Sequence, residues 1–172
     1  IPFYIFSLRQ GRQSGVLTPS FGRRPIRFGS RESEWELRNL GYYIAPNDYW
    51  DLTLSGDFRQ RSGWLARTRI NYARRYHWNG QIETRLENGR DGNQTRWEWW
   101  TSMRHNQELG ENGSLRASGT FQSNKDFTRD NSSSLQDRLN RTLRSNLSYS
   151  KRWRPSGTSL SLKASQTKNL DT

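Results

Sequence analysis

The sequence predicts an all-β fold, an antiparallel meander of about nine strands, and three observations carry that reading. Apolar residues recur at every second position through most of the chain, the period at which side chains alternate across a sheet. Turn signals interrupt the pattern at short intervals: "APND", "RQRSG", "HWNG" (an Asn-Gly hairpin), "NGRDGNQ", "LGENG" and "RPSG". Helical spacing is almost absent. "SSLQDRLNRTL" (Ser133 to Leu143) is the one candidate for a short helix, with Leu135, Leu139 and Leu143 four apart.

The first element, "SGVLTPSFG" (Ser14 to Gly22), alternates Val16, Thr18 and Ser20 with Leu17, Pro19 and Phe21. Pro19 has no backbone N–H, so it leaves a rung of any ladder unmade. "ESEWELRNLGYYIA" (Glu32 to Ala45) is the second strand. Trp50, Leu52 and Leu54 then oppose Asp51, Thr53 and Ser55. Trp64, Ala66, Thr68, Ile70 and Tyr72 oppose Leu65, Arg67, Arg69 and Asn71. Ile82, Thr84 and Leu86 oppose Glu83, Arg85 and Glu87. Trp97, Trp99, Thr101 and Met103 oppose Glu98, Trp100, Ser102 and Arg104. Leu115, Ala117, Gly119 and Phe121 oppose Arg116, Ser118, Thr120 and Gln122. Leu143, Leu147 and Tyr149 oppose Arg144, Asn146 and Ser148, and Leu160, Leu162 and Ala164 oppose Ser161 and Lys163. In these last seven segments the first-named face carries no charge and the other carries nearly every charge.

Composition narrows the function classes. The chain of 172 residues is 30% hydrophobic with mean hydropathy −1.12, values that suggest a thin core. Its 13% aromatic content argues against disorder. A net charge of +12 and a pI near 10.8 point to an anionic partner, nucleic acid or phosphate-bearing lipid. Arg outnumbers Lys 24 to 4, and guanidinium forks onto phosphate and carboxylate. There is no cysteine, so no disulfide framework or Cys metal site is available. His77 and His105 are the two histidines, which leaves little for a metal centre or a His-dependent nucleophile. Glu83, Glu87 and Glu98 could make a hydrolytic carboxylate pair, but ion pairs on a charged face are the better reading. "NKDFTRDNSSSLQD" has loop carboxylates without EF-hand spacing and reads as a solvated loop. The chain reads as a non-enzyme without cofactor or metal.

Two architectures share the pattern. In a soluble sandwich the apolar face is the core; in a membrane barrel it meets lipid and the polar face lines a wet lumen. Three features favour the barrel. Trp50, Trp64, Tyr72, Trp97, Tyr149 and Trp153 sit at the ends of the apolar faces, where aromatic residues collect at headgroup level. Segments such as Gly63 to Arg74 are long enough to cross a bilayer at a tilt. Connections alternate between long, polar ones around 22–32, 88–94 and 124–141 and short ones at 44–48, 78–80 and 153–157, with a short link at 58–62 out of step.

"GRQSGVLTPSFG" followed by "LRNLGYYIAPNDYWDLTL" resembles the start of the barrel in the lipopolysaccharide-assembly outer-membrane proteins, the LptD (OstA) family. The matching residues are Arg12, Ser14, Gly15, Val16, Leu17, Pro19, Tyr42, Tyr43, Ala45, Pro46 and Asn47. "IPFYIFSLRQG" looks like the junction leaving the family's periplasmic β-jellyroll, and "DRLNRTLRSNLSYSKRW" is similar to the Bacteroidetes-type branch. The resemblance implies a junction over 1–13 and, over 14–172, the first strands of a large transmembrane β-barrel in the outer membrane. It implies that the chain is part of a longer polypeptide.

In the family, prolines in the first strands weaken the pairing between the barrel's first and last strands, a seam that opens sideways as a lateral gate. Pro19 falls on the first gate proline, and Gly41 stands where the family has a second. The resemblance makes Arg67, Arg69, Arg85, Arg104, Arg116 and Arg144 inward-pointing candidates for the path of phosphate and acidic sugars. The implied partners are lipopolysaccharide, a plug lipoprotein in the lumen, a periplasmic jellyroll bridge protein and outer-membrane lipid, without nucleic acid. Another outer-membrane barrel of porin type and a soluble basic β-domain binding nucleic acid are the alternatives. The last needs arginines and aromatics on one exposed face.

Overall fold

The computed structural model describes residues 12–26, 31–91, 94–124, 142–153 and 156–169. They form one ten-stranded antiparallel sheet. In chain order the strands are β1 (Gly15–Leu17), β2 (Ser20–Pro25), β3 (Ser33–Ile44), β4 (Trp50–Arg59), β5 (Gly63–Arg74), β6 (Trp78–Asp91), β7 (Gln94–Glu108), β8 (Gly113–Gln122), β9 (Thr142–Trp153) and β10 (Thr158–Asn169). From β3 onward each strand pairs with the next, while β1 and β2 both pair with β3 at one edge and β10 forms the other. One turn of 3₁₀ helix, Gly110–Asn112, links β7 to β8.

The faces fall as the alternation requires. The β4–β5 ladder sets Trp50 against Tyr72, Leu52 against Ile70 and Leu54 against Thr68. The row continues through Ile82 to Met103. Burial is inverted relative to a soluble domain. Among the described residues Leu65 is the sole buried apolar side chain, whereas Glu34, Glu36, Asp51, Asp57, Arg59, Glu87 and Glu98 are buried. Trp35, Phe58, Trp97, Trp99, Phe121 and Leu162 are exposed. Charge is normally the last thing to be buried and large apolar surface the last to be left out. A sheet that does both has its polar face inside and its apolar face toward hydrocarbon.

Aromatic rows mark the limits of that hydrocarbon face. Phe21, Leu37, Phe58, Trp64, Asn88 and Trp97 are successive partners across β2 to β7. Trp64 and Trp97 meet edge to face with centroids 5.4 Å apart. A second row runs Trp50, Tyr72, Gly80, His105. On β4 and β5 the rows lie eight residues apart, about 26 Å along the strand at about 3.3 Å per residue. A strand tilt of about 40° reduces this to a height of about 20 Å, close to the apolar band of about 25 Å of an outer-membrane barrel.

Several sequence expectations need correction. The "HWNG" segment is not the hairpin turn: Asn79 and Gly80 lie inside β6, and the turn is 75–77, with Tyr76 at φ 65°. The region 88–94 is not a long loop, because β6 runs to Asp91 and pairs there with Gln94 of β7. Connections therefore do not alternate regularly in length. On the side of the 123–141 connection, the links 60–62 and 92–93 are as short as any on the opposite side. "SGVLTPSFG" is not one strand but two, β1 and β2. The candidate helix lies outside the described residues over 133–141, and Leu143 belongs to β9.

Candidate gate strand and lumen wall

The break at Pro19 has a partner. Val16 and Leu17 of β1 oppose Tyr42 and Gly41 of β3, and Ser20 and Phe21 of β2 oppose Arg38 and Leu37. One register serves both, so the missing rungs set Thr18 opposite Leu40 and Pro19 opposite Asn39. Between Leu37 and Leu40 the β3–β4 ladder shifts, two residues of β3 facing the single Asp57, which is a β-bulge. Asn39 takes φ 60°, a conformation that Asn tolerates better than most residues. Its backbone N–H donates to Asp57 Oδ1 at 2.9 Å, and its side-chain amide donates to the Thr18 carbonyl at 3.3 Å.

The bulge has a signature in the sequence that simple alternation passes over. Trp35 and Leu37 face outward at odd positions, Leu40, Tyr42 and Ile44 at even ones, and the phase changes at Arg38–Asn39. The edge strand changes phase at the same level, Val16 and Phe21 sharing the outward face although five residues apart.

The two halves of the family motif meet across these strands. Ser14 Oγ accepts the Ala45 N–H at 2.8 Å, Gly15 opposes Tyr43, and Leu17 opposes Gly41. Asn47 Oδ1 closes the turn after Pro46 by accepting the N–H groups of Tyr49 and Trp50 at 2.9 and 3.2 Å. Arg12 reaches Asp51 at 2.9 Å. Gly41 is required by proximity: a Cβ there would lie 2.1 Å from the Leu54 carbonyl oxygen. Its role in this structure is to let β3 and β4 approach beside the bulge.

Beyond the break, the inner face of β2 is riveted by ions. Arg24 lies 3.5 Å from Glu36 and 4.0 Å from Glu34. Arg59 lies 3.4 Å from Glu36 and also pairs with Glu87. Glu34 accepts the backbone N–H groups of Arg61 and Ser62 at 2.8 and 2.9 Å, fastening β3 to the β4–β5 turn. Carboxylates this buried are tolerable because each has cationic or N–H partners. Sequence reading missed this cluster: its members come from β2, β3, β4 and β6, and only the register brings them together.

The six arginines named as lumen candidates divide into two groups. Arg67 pairs with Asp57, Arg69 with Glu83 at 3.0 Å, and Arg85 with Glu83 at 2.7 Å while stacking 4.5 Å over Trp100. Arg104, Arg116 and Arg144 are exposed on the inner face of β7, β8 and β9. They have no ion-pair partner among the described residues. Around them the face carries hydroxyl and amide groups: Asn106, Ser118, Thr120, Asn146 and Ser148. The inner wall thus changes from ion-paired over β2–β6 and the Arg96–Glu98 end of β7 to basic and hydroxyl-lined from Arg104 through β8 and β9. Glu98, the third candidate carboxylate, pairs with Arg96 at 2.6 Å, so no free carboxylate pair forms with Glu83 and Glu87. His77 stands exposed in a turn, and His105 accepts or donates at 2.9 Å with the Tyr72 hydroxyl on the outer face.

A family model described as LptD protein matches residues 1–172, the whole chain. The chain belongs to the LptD family. No curated protein matches it. LptD proteins are outer-membrane β-barrel proteins of lipopolysaccharide transport and assembly rather than enzymes, and they work within the Lpt system. An LptD barrel wall accounts for the inverted burial, for the paired aromatic rows and for a lumen face whose charge is mostly arginine.

Proposed function

We propose that the chain forms the first strands of an outer-membrane wall that inserts lipopolysaccharide into the outer leaflet through a lateral gate beside Pro19. The interrupted edge strand carries this reading. β1 is held to β3 by three residue pairs, two rungs are missing, and six pairs then hold β2 with the Arg24–Glu36–Arg59 cluster beneath them. At about 0.5–1.5 kcal/mol for each hydrogen bond, the β1 segment opens at a fraction of the free energy needed to move β2. Pro19 and Gly41 therefore sit at a hinge: β1 swings and β2 stays.

Arg104, Arg116 and Arg144 supply weak, exchangeable holds for phosphate and acidic sugars in the lumen, with neighbouring hydroxyls for the sugar chain. Arg67, Arg69 and Arg85 stiffen the wall through their carboxylates. The partners that follow are lipopolysaccharide, a plug lipoprotein seated in the lumen and a periplasmic jellyroll bridge protein. Residues 1–13 are the junction to the protein's own periplasmic jellyroll.

Locking β1 tests the gate. In the full-length protein, Val16→Cys with Tyr42→Cys joins a directly opposed pair in β1 and β3; Phe21→Cys with Leu37→Cys joins one in β2 and β3. The first cross-link is expected to stop delivery of lipopolysaccharide to the cell surface until reductant is added, and the second to leave it unchanged. Delivery that continues with the first pair oxidised removes the gate.

A further inference from the structure

Arg23 and Arg24 are neighbours on β2 that face opposite ways. Arg24 turns inward to Glu34 and Glu36. Arg23 turns outward, opposite Trp35, and is exposed. It has no hydrogen bond or ion pair among the described residues. Its guanidinium carbon instead lies 5.0 Å from the centroid of the Trp35 ring. Phe21 stacks on the same indole, with centroids 4.8 Å apart and planes 7° from parallel, and so steadies the ring against which the guanidinium rests. Stacking engages the flat face of a guanidinium and leaves the N–H donors in its plane free at the rim. A cation held in this way is a fork set for phosphate before any phosphate arrives.

The level is that of lipid headgroups. Phe21 belongs to the aromatic row that ends the hydrocarbon face, and Arg23 stands two residues beyond it, about 7 Å along the strand. There the side chain keeps its stem against apolar rings and its charge among headgroups. The strand is also held in place, by six pairs to β3 and by Arg24 on the opposite face. Arg90 of β6 offers a comparison within the same wall. It faces outward two residues beyond Asn88 of the same row and is exposed. Neither a ring nor a carboxylate meets it among the described residues.

We propose that Arg23, set by Trp35 and Phe21, is a receiving site on the membrane side of the wall for a headgroup phosphate of lipopolysaccharide. The site rests on the gate reading, which fixes its place in the membrane. Residues 1–13 arrive from the periplasm, so the Arg23 end of β2 reaches the outer leaflet. A lipid leaving the seam beside β1 emerges next to Phe21 and Arg23, on a strand that stays while β1 swings. Position and charge together select the phosphorylated glycolipid of that leaflet over a phospholipid.

The test uses the full-length protein in nanodiscs with a photoreactive benzoylphenylalanine at position 33, on the outward face two residues from Trp35, or at position 95, opposite Arg90. Nanodiscs of phosphatidylcholine contain lipopolysaccharide, dephosphorylated lipopolysaccharide or phosphatidylglycerol, and the heat-modifiable gel shift shows that each variant is folded. Labelling by lipopolysaccharide is expected to be at least fivefold higher from position 33 than from 95, and to fall to the level of 95 on dephosphorylation. Arg23→Gln should lower it at least threefold, Arg23→Lys should keep less than half of it, since an ammonium neither stacks nor forks, and Arg90→Gln should leave it unchanged. Equal labelling from the two positions overturns the site, as does a signal at 33 that ignores Arg23→Gln, or phosphatidylglycerol labelling as strongly as lipopolysaccharide. The measurement needs no transport. A site that fails here while the Val16–Tyr42 cross-link still stops delivery is lost without the gate, and a site found here while delivery ignores that cross-link stands without it.

Discussion

Pro19 lies opposite Asn39, a residue with no N–H facing a residue whose own N–H is turned away to Asp57 Oδ1 at 2.9 Å. Neither asks the other for a rung. A proline is tolerated here because the bulge in β3 has already removed its partner. Replacing Pro19 by Ala should therefore change folding stability by less than about 1 kcal/mol. Asn39→Val places a β-branched residue at φ 60° and should cost about 1–3 kcal/mol, with Asn39→Gly well below that. Urea unfolding of the full-length protein in lipid vesicles separates the three.

Arg59 joins Glu36 and Glu87, and all three are buried. Arg59→Ala removes the cation that Glu36 and Glu87 share, while Arg24 still lies 3.5 Å from Glu36, and should lower stability by about 1–3 kcal/mol. Adding Glu36→Gln and Glu87→Gln to it should recover part of the loss, because the excess negative charge is then gone. The same unfolding measurement applies. An Arg59→Ala variant as stable as the parent would mean that water reaches the cluster freely.

Gly80 lies under the Tyr72 ring: a Cβ there would come within 2.4 Å of the ring and 2.6 Å of the Arg104 carbonyl oxygen. The phenol cannot move without giving up its 2.9 Å contact with His105 Nδ1 and its packing on Trp78, 5.6 Å away between centroids. Gly80→Ala should cost about 1–3 kcal/mol and slow assembly. Tyr72→Phe should restore little, since the backbone contact persists.

The two groups of lumen arginines should respond differently. Arg104→Ala, Arg116→Ala and Arg144→Ala together should slow lipopolysaccharide export several-fold and leave the unfolding midpoint nearly unchanged. Arg67→Ala with Arg69→Ala should lower the midpoint, through the lost pairs with Asp57 and Glu83, and affect export only in proportion to the protein assembled. Surface export of pulse-labelled lipopolysaccharide, normalised to folded protein, tells binding from stiffening.

Much of this architecture is legible in the sequence. The period-two faces from Trp50 to Ala164 all survive, because alternation is a local property of an extended chain. The strand at Gly63–Arg74 has the limits that the pattern assigns to it. Loop lengths were the weaker guide: Asn79–Gly80 has the composition of a hairpin turn, yet the ladder runs through it and turns at 75–77. Where a meander turns depends on pairing energy summed along both strands, and a two-residue motif adds little to that sum.

By itself the sequence determined that the chain forms strands, which residues share a face, and that one face suits hydrocarbon and the other water and anions. It also held the motif whose halves, Ser14 and Ala45 among them, meet in the sheet. The tertiary structure alone decided that the charged face is the enclosed one, that Pro19 sits against the Asn39 bulge, and that Arg24, Glu36, Arg59 and Glu87 converge. The physical reason is register. Side-chain alternation is written residue by residue, whereas the partner opposite each residue is set by the pairing of whole strands, and a shift of one position changes every neighbour.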